Sequence, residues 1–394
     1  MTASILSIGT AVPTARLQQR AVRDLFAGQP GASRLTQRLV HAAFDASAIE
    51  TRHTALDGLA RAVEVASAQA DGDAGAAAAD TDDERMPVAT DAGALLSPST
   101  GARNDAFIRL APPLAAAAAR DALAGASVAP ADVTHVVTVS CTGMFAPGPD
   151  YRLVRDLGLS TGVERYHLGF VGCAAAMPAL RLAARICAAE PAAVVLVVCV
   201  ELCSLHFRAS SDPDQIVSAS VFADGAAAAV VSADHGRRGA AWLELDRFGT
   251  AITDEGEADM AWTVGDEGFE MVLSAEVPRI IGREIRGAVD GFVGDERVDT
   301  WAVHPGGRSV LDRVEAGLAL SESALVASRA VLRDYGNMSS ATILFILRDL
   351  LRDVSREVPR EGGPASGGRI ATLAFGPGLT LEAAMLTARR RDEP

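Results

Sequence analysis

Three runs rich in valine, alanine and other strand-forming residues dominate the first half of the chain. They cover residues 134–140, 192–202 and 226–233. Runs of this length are typical of strands buried on both faces of a sheet. Between the first two, the apolar spacing of 180–189 predicts an amphipathic helix. The repeated order of strand, helix and strand predicts an α/β fold, with a parallel sheet covered by helices on both faces.

The same alternation extends towards both ends of the chain. Residues 4–12 predict an opening strand, 17–44 a helical stretch and 111–124 an alanine-rich helix. In the second half, the strand-and-loop segments VDTWAVHPG and RIATLAFGPGLT alternate with the helical segments SVLDRVEAGLAL and SSATILFILRDLLRDV. We therefore expect two pseudo-duplicated halves, an N-terminal one at 1–241 and a C-terminal one at 242–394.

One internal segment departs from these patterns. Residues 70–91 read ADGDAGAAAADTDDERMPVATD, which is small, acidic and without a helical or strand period. Such a composition cannot bury enough apolar surface to pack. We expect a surface insertion or disordered loop that the fold can lose.

The amino-acid composition and the net charge exclude several classes of function. The chain has 394 residues, 49% of them apolar and 22% charged, which is enough for the core of a soluble globular protein. A formal charge of −14 argues against a nucleic-acid partner, since such proteins need a basic footprint. All 36 basic residues are arginine. The absence of lysine excludes Schiff-base chemistry, a pyridoxal-phosphate lysine and a Walker-type phosphate loop.

The cysteines and the first residues of the chain predict the cellular compartment of the protein. Five cysteines without a CxxC pair are neither a disulfide framework nor a cysteine-based zinc site, so we expect no metal. The first residues lack the basic and long apolar segments of a signal peptide, and no long apolar run free of charges or breakers predicts a transmembrane helix. We expect a cytoplasmic protein without membrane insertion, in a reducing compartment where free thiols persist.

Three residues at turns are candidates for chemistry. Cys173 follows a glycine turn and precedes a predicted helix, whose N-terminus would favour a thiolate. His304 follows a strand, where open α/β sheets place functional groups, and Asn337 stands at a loop-to-helix junction. Each also has a purely structural interpretation: a small buried thiol, a core histidine and a helix N-cap.

Taken together with their surroundings, these residues carry a family resemblance. HPGGRSVLDRVEAGLAL, YGNMSSATILFIL and FGPGLTLEAAML look like the C-terminal motifs of type III polyketide synthases, the chalcone and stilbene synthase group. APGPDYRLVRDLGL, GFVGCAAAMPALRLA and SVFADGAAAAVV resemble motifs in the first half of that group. The resemblance implies a thiolase-type, five-layered αβαβα fold and a homodimer.

The resemblance also implies a mechanism. Cys173 would accept the starter acyl group, His304 would activate the thiol, and His304 with Asn337 would assist decarboxylation of a malonyl thioester. Donors of this kind stabilise an enolate oxyanion, and a thiolate beside an imidazolium is nucleophilic near neutral pH. The expected activity is iterative condensation of malonyl-CoA onto an acyl starter, then cyclisation to a pyrone or to a resorcinol or other phenolic ring. No cofactor is expected beyond the coenzyme A thioesters used as substrates.

The resemblance further implies which residues shape the substrate pocket. Phe222 matches a gatekeeper phenylalanine at the mouth of the cavity. ELCSLHF and SCTG look more like bacterial alkylpyrone or alkylresorcinol synthases than plant enzymes, and Met271 is adaptable, so we expect a fatty acyl starter unless Trp262 fills the space. His206 is also open to a structural interpretation, as a satisfied interior histidine. The complete expected pocket set is Phe222, Cys141, Cys203, His206, Trp262, Met271, Ser339, Gly376, Pro377 and Gly378.

The carrier of the starter stays open at this point. Where plant enzymes place basic residues for coenzyme A phosphates, this chain has Leu39, Ala42 and Ala46, with Arg34 and Arg38 nearby as substitutes. An acyl-carrier-protein starter is therefore an alternative to acyl-CoA. Two other functions also stay open: a ketoacyl synthase that condenses once, and a non-catalytic acyl-binding partner subunit on the same fold.

Overall fold

The computed structural model describes residues 2–70, 86–274, 276–356 and 360–391. The strands in these ranges are β1 (Ser4–Ala11), β2 (Ala15–Gln18), β3 (Thr51–Thr54), β4 (His135–Ser140), β5 (Glu164–Gly169), β6 (Val194–Leu202), β7 (Asp224–Ser232), β8 (Ala241–Ile252), β9 (Met260–Gly265), β10 (Gly268–Leu273), β11 (Thr300–Val303), β12 (Arg369–Gly376) and β13 (Thr380–Arg390). The helices are α1 (Gln19–Ala27), α2 (Arg34–Ala46), α3 (Asp57–Ala70), α4 (Thr100–Gly125), α5 (Pro149–Leu157), α6 (Ala176–Ala189), α7 (Pro213–Val221), α8 (Val277–Val293), α9 (Arg308–Leu318), α10 (Val326–Tyr335) and α11 (Thr342–Val354).

Nine strands form one sheet in the order β11-β12-β13-β8-β1-β7-β6-β4-β5. The expectation of a parallel sheet is wrong. Only β4 with β5, β4 with β6, and β11 with β12 pair in parallel, and the other neighbours are antiparallel. A continuous apolar run shows that a strand is buried on both faces, but it does not reveal the direction of the neighbouring strand.

The sheet has two wings that meet at a narrow junction. β1 pairs with β8 through only Ser4↔Glu244 and Ile5↔Leu243, whereas β1 pairs with β7 over most of its length. The first wing contains β1, β4, β5, β6 and β7, and the second contains β8, β11, β12 and β13; β2 with β3 and β9 with β10 form two separate two-stranded sheets.

Helices α6 and α11 lie between the two wings. α6 contacts β4, β6 and β7 on one side and β13 on the other, while α11 contacts β1, β7, β8, β11 and β13. α4 covers the outside of the first wing and α8 that of the second. The arrangement is helix, sheet, helix, sheet, helix, and the predicted five-layered fold is confirmed.

The buried position of α6 also explains its apolar composition. Among the described residues, the stretch Gly172–Ala189 is the one helical window long and apolar enough to cross a membrane, with a mean hydropathy of 1.2. More than half of it, 56%, is buried inside the protein. The core helix of a soluble protein gives the same signal.

Two predicted segments need correction. The helical stretch 17–44 is divided into β2, α1 and α2, because residues 28–33 form a turn with Gly31 at a positive φ and Ser33 capping α2. Residues 71–85 of the predicted insertion lie outside the described residues. Its end at 86–91 is not dispensable, since Met86 and Val88 are buried in the core of the first wing.

Candidate active site

Cys173 lies where β5 leaves the sheet and turns into α6. Gly172, at φ +78°, and Cys173 begin a 3₁₀ turn (Gly172–Ala174) that leads directly into the helix. A side chain at Gly172 would come within 2.1 Å of the Pro377 ring, so only glycine permits this approach. The Gly172 N–H also donates to Cys141 Sγ at 3.0 Å. The turn therefore holds the thiol in one place.

Burial dominates the electrostatics of this thiol. Cys173 is 3% exposed, and burial raises its pKa to about 11. Hydrogen bonding with the side chain of Ser339 lowers the pKa, the nearby Glu201 carboxylate raises it, and Asn337 lowers it. Alone in this environment, the thiol is protonated at neutral pH.

His304 follows the last residue of β11. Its backbone N–H donates to Leu373 O of β12 at 2.8 Å, which fixes the position of the backbone beside the parallel strand pair. The side chain is 1% exposed, and neither Nδ1 nor Nε2 has a hydrogen-bond partner. Burial lowers the pKa of His304 to about 3, so the ring is neutral by itself. A buried imidazole with two unpartnered nitrogens is available to a bound substrate.

Asn337 joins the segments that carry the thiol and the imidazole. Its Nδ2 donates to Gly306 O at 3.3 Å, two residues beyond His304, and its side chain also lowers the pKa of Cys173. Its Oδ1 accepts from the Ser339 N–H at 2.8 Å, but the residue before the 3₁₀ turn Ser339–Ala341 is Met338 and the residue before α11 is Ala341, so Asn337 is not the N-cap of either helix. Backbone bonds to Val221 and Ala223 hold it against the end of α7.

A small inner cavity lies next to Cys173. Its volume is about 20 Å³, little more than one water. The lining is predominantly apolar and comes from both halves of the chain. It consists of Cys141, Thr142, Gly172, Cys173, Cys203, Phe222, Met260, Trp262, Met271, Ser339 and Pro377.

Trp262 is the largest side chain that lines this cavity. The indole lies on the β9–β10 hairpin and is anchored by its Nε1–H, which donates to Cys141 O at 2.9 Å. Its ring centroid is 6.3 Å from that of Phe222 and 6.0 Å from that of Phe269. The inner cavity bounded by these rings and the described residues around them is too small, at about 20 Å³, to hold a long acyl chain.

His206 does not line the inner cavity, contrary to expectation. Its Nε2 lies 2.8 Å from Thr142 O, its Nδ1 accepts from the Phe269 N–H at 3.0 Å, and its ring stacks on Phe269 at 4.2 Å. Burial lowers the pKa of His206 to about 3. Both nitrogens are satisfied, so His206 is a neutral structural residue that links the hairpin to the turn after β4.

Of the three residues expected to line the pocket from the glycine loop after β12, only one does so. Pro377 lines the cavity, but Gly376 and Gly378 do not. A side chain at Gly376 would lie 3.1 Å from Val171 O and 3.2 Å from Ala174 Cβ, so this glycine lets β12 approach the nucleophile turn. Gly378 has φ +69° and serves the turn itself.

The sequence analysis missed Glu201, which lies at the centre of a buried network at the end of β6. Its Oε2 accepts from the Cys141 N–H and the Thr142 hydroxyl, both at 2.9 Å, and its Oε1 accepts from the Ser340 hydroxyl at 2.5 Å. Burial raises the pKa of Glu201 and these hydrogen bonds lower it. The sequence contains a signal for this network, because a single carboxylate near the end of an apolar strand is buried and needs hydrogen-bond partners there.

An outer cavity opens on the other side of the segment 220–222. Its volume is about 360 Å³, and it reaches Gly306 and Gly307, directly after His304 and Pro305. Its walls come from α2, α7, α8 and α9 and are mainly apolar. Three exposed cations line it: Arg279, Arg308 and Arg313. This outer cavity, with apolar walls and three arginines at its rim, fits a long ligand that has an anionic end.

Comparisons with known proteins agree with this geometry. The model of the chalcone and stilbene synthase N-terminal domain matches residues 84–235, and that of the C-terminal domain matches 247–389. Bisdemethoxycurcumin synthase of Oryza sativa subsp. japonica is 36% identical over 307 residues, covering 74% of this chain and 75% of that protein. "Probable polyketide synthase 1" of Dictyostelium discoideum is 29% identical over 392 residues, 97% of this chain. The chain spans only 11% of that protein's length.

A solved structure shares the fold over nearly the whole chain. The crystal structure of PKS-I from the brown alga Ectocarpus siliculosus superposes with a TM-score of 0.83 at 27% identity, covering 98% of each chain. The predicted thiolase-type fold is thus confirmed by a second, independent observation.

Proposed function

The chain belongs to the chalcone and stilbene synthase family of type III polyketide synthases, which are acyltransferases, and from this premise we propose how its own residues perform the reaction. Malonyl-CoA is condensed repeatedly onto an acyl starter carried by Cys173, and the chain then cyclises to a pyrone or to a resorcinol or other phenolic ring. The observation that supports this most is the position of Asn337: its side chain acts on the pKa of the buried Cys173 thiol, and its Nδ2 donates to Gly306 O, two residues beyond His304, whose ring nitrogens are both unpartnered.

Acyl loading begins at the Cys173 thiol. Sγ attacks the carbonyl carbon of the acyl thioester while its proton passes to His304. The carbon–sulfur bond to the carrier then breaks, and the carrier leaves as a thiol with the proton that His304 returns. Burial alone keeps both groups neutral, so the thiolate and imidazolium form only as a pair that stabilises both charges.

Extension uses the same imidazole and amide. The malonyl thioester loses CO₂, and the electrons of the broken bond become an enolate whose oxygen accepts N–H donors from His304 and Asn337. The enolate carbon attacks the acyl carbonyl on Cys173, and the bond to Sγ breaks. Transfer of the longer chain back to Cys173 allows the next round.

The starter is an apolar acyl group whose length Trp262 limits. The inner cavity has an apolar lining but only about 20 Å³ of space, so the expected fatty acyl chain fits only if the indole moves away. A series from acetyl-CoA to dodecanoyl-CoA tests this with the wild type and the Trp262→Ala variant. The variant should shift the highest kcat/KM towards longer chains. A wild type that already prefers the longest chains would contradict the role of Trp262 as a wall.

The carrier is coenzyme A, held by the cations of α8 and α9. Ala46 of α2 lines the outer cavity, but neither Arg34 nor Arg38 does, so the substitutes expected on α2 are not at the rim. Arg279 and Arg308 are exposed there; Arg279 pairs with Glu276, the residue before α8, and Arg308 pairs with Asp312, one turn further along α9. A phosphate would displace such surface pairs at little cost.

Truncated thioesters test this assignment. Arg308→Gln combined with Arg279→Gln should raise KM for malonyl-CoA about tenfold, because charge-assisted phosphate contacts are lost. KM for the N-acetylcysteamine thioester, which has no phosphate, should stay the same, and Arg38→Gln is the matched control. An equal effect on both thioesters would contradict phosphate binding, and wild-type activity only with carrier-protein thioesters would favour the alternative carrier.

The assembly is a homodimer. β5 is one of the two edge strands of the sheet, and its side chains are mostly exposed, as are Met144, Phe170 and Val171 beside it. An unpaired edge with apolar neighbours is suited to pairing with a second copy. Sedimentation velocity should give twice the mass of the chain.

The cellular compartment is reducing. All five cysteines are free and buried, in keeping with a cytoplasmic location.

Product analysis separates this function from its nearest alternative. With malonyl-CoA and an acyl-CoA, mass spectrometry should detect a cyclised product that contains two or more malonyl units. A product with a single linear extension would indicate a ketoacyl synthase instead.

A further inference from the structure

The geometry points to a divalent metal site at the end of the sheet opposite the thiol, formed by His135, Glu164 and Glu190. The donor atoms of these three side chains all lie within 4.8 Å of one another. The site uses none of the residues proposed for the reaction or for coenzyme A binding and does not depend on that reaction; Glu164 belongs to β5, the edge strand proposed above for the dimer contact.

The three ligands come from fixed points of the backbone. His135 and Glu164 are register partners at the first positions of the parallel strands β4 and β5. Glu190 caps the C-terminus of α6, where its N–H donates to Ile186 O. Three elements that meet at the sheet edge therefore supply one ligand each.

The distances are close to those of a coordination shell. His135 Nε2 lies 3.7 Å from Glu164 Oε2 and 3.9 Å from Glu190 Oε2. Tetrahedral zinc with bonds of about 2.0–2.1 Å places its donors about 3.4 Å apart. The two glutamates are largely exposed, so small rotations of their side chains close the difference.

The histidine is buried and prepared for this role. His135 is 3% exposed, and its Nδ1 lies 2.7 Å from Thr134 Oγ1. That hydroxyl also accepts from the Val194 N–H and lies 3.1 Å from Val194 O. In the tautomer in which Nδ1–H donates to this hydroxyl, Nε2 presents a lone pair to the space between the two carboxylates, where a cation would be bound by all three groups. A ligating histidine whose other ring nitrogen donates to an oxygen is the usual arrangement at metal sites.

The carboxylate of Glu164 is also held in place by a hydrogen bond. The Tyr166 hydroxyl donates to Glu164 Oε2 at 2.8 Å, which orients that carboxylate. Imidazole with carboxylates suits zinc and its neighbours among the divalent transition metals. The bound ion would join β4, β5 and the end of α6, at about 17 Å from the thiol-bearing end of the six-residue strand β4.

Zinc titration of the full-length, chelator-treated protein tests the site. Because the active-site thiols also bind zinc, the measured quantity is the difference between wild type and variants. Glu164→Gln with Glu190→Gln should bind one equivalent fewer by equilibrium dialysis, and each single variant should weaken that equivalent at least about tenfold. Glu322→Gln, an exposed carboxylate elsewhere, is the matched control and should bind as the wild type does.

A second measurement guards against misfolding and names the ligands. Zinc should raise the melting temperature of the wild type but not of the double variant, and both should melt alike in chelator. Cobalt at this site should give visible d–d bands without the near-ultraviolet charge transfer of thiolate ligands. Equal zinc stoichiometry and affinity in wild type and double variant would overturn the proposal, as would the absence of micromolar binding.

Discussion

At the scale of single residues, the main question is how a thiol with a raised pKa becomes a nucleophile. Burial raises the pKa of Cys173 to about 11 and lowers that of His304 to about 3. Both shifts favour the neutral forms, because each charge alone would lie in an apolar environment. In the mechanism proposed above, the opposite charge of the partner reverses both shifts, so that the two residues ionise together.

His304→Gln tests this coupling. Without the imidazole, the pKa of Cys173 should stay near the value of about 11 set by burial. Alkylation by iodoacetamide should then rise in proportion to hydroxide concentration from neutral pH upward, since the thiolate fraction does. The wild type should reach its plateau at a clearly lower pH, and coincident profiles would contradict the ion pair.

The thiol and the decarboxylating pair can be separated by substitution. Cys173→Ala should abolish condensation and leave the fold intact, because it removes only Sγ. Cys173→Gln should retain malonyl-CoA decarboxylation, since His304 and Asn337 survive. Release of CO₂ from labelled malonyl-CoA measures the second activity. Product formation by Cys173→Ala would contradict the assignment of the nucleophile.

At the scale of elements, Glu201 connects parts of the site that are distant in sequence. It accepts hydrogen bonds from the turn after β4 and from Ser340, beside Ser339 and close to Asn337. Glu201→Gln replaces one acceptor oxygen with a donor and should destabilise the protein by about 1–3 kcal/mol. Urea denaturation measures this. Ser340→Ala, which removes a single donor, is the smaller control, and equal stability of all three proteins would contradict the network.

The segment 70–91 contains two parts with opposite expected behaviour. Residues 71–85 are small and acidic, so their deletion should leave the melting temperature nearly unchanged. Met86 is 2% exposed within the core, and Met86→Ala should cost about 2–5 kcal/mol. A large loss of stability on deleting 71–85, or none for Met86→Ala, would contradict this division.

At the scale of the whole molecule, sequence predicted the elements better than their arrangement. The buried strands and α6 follow from apolar runs and helical spacing, and Cys173, His304 and Asn337 stand at turns marked by glycine. Strand direction was not predictable, because a strand buried on both faces has the same composition in either orientation.

The interior contacts between distant segments were also beyond the sequence. Nothing near His206 shows that Thr142 and Phe269 satisfy its two nitrogens, and nothing near Trp262 shows that Cys141 O anchors the indole. Such partners are 60 or more residues apart in the sequence and meet only in the folded chain.

Acyl transfer to Cys173 is the central claim, and intact-protein mass spectrometry tests it most directly. After incubation with an acyl-CoA, the wild type should gain the mass of one acyl group, located by peptide mapping on Cys173. Addition of malonyl-CoA should remove this mass and release a product with several malonyl units, while Cys173→Ala should gain nothing. A wild type that gains no acyl mass, or gains it at another residue, would contradict the account and favour a non-catalytic acyl-binding subunit.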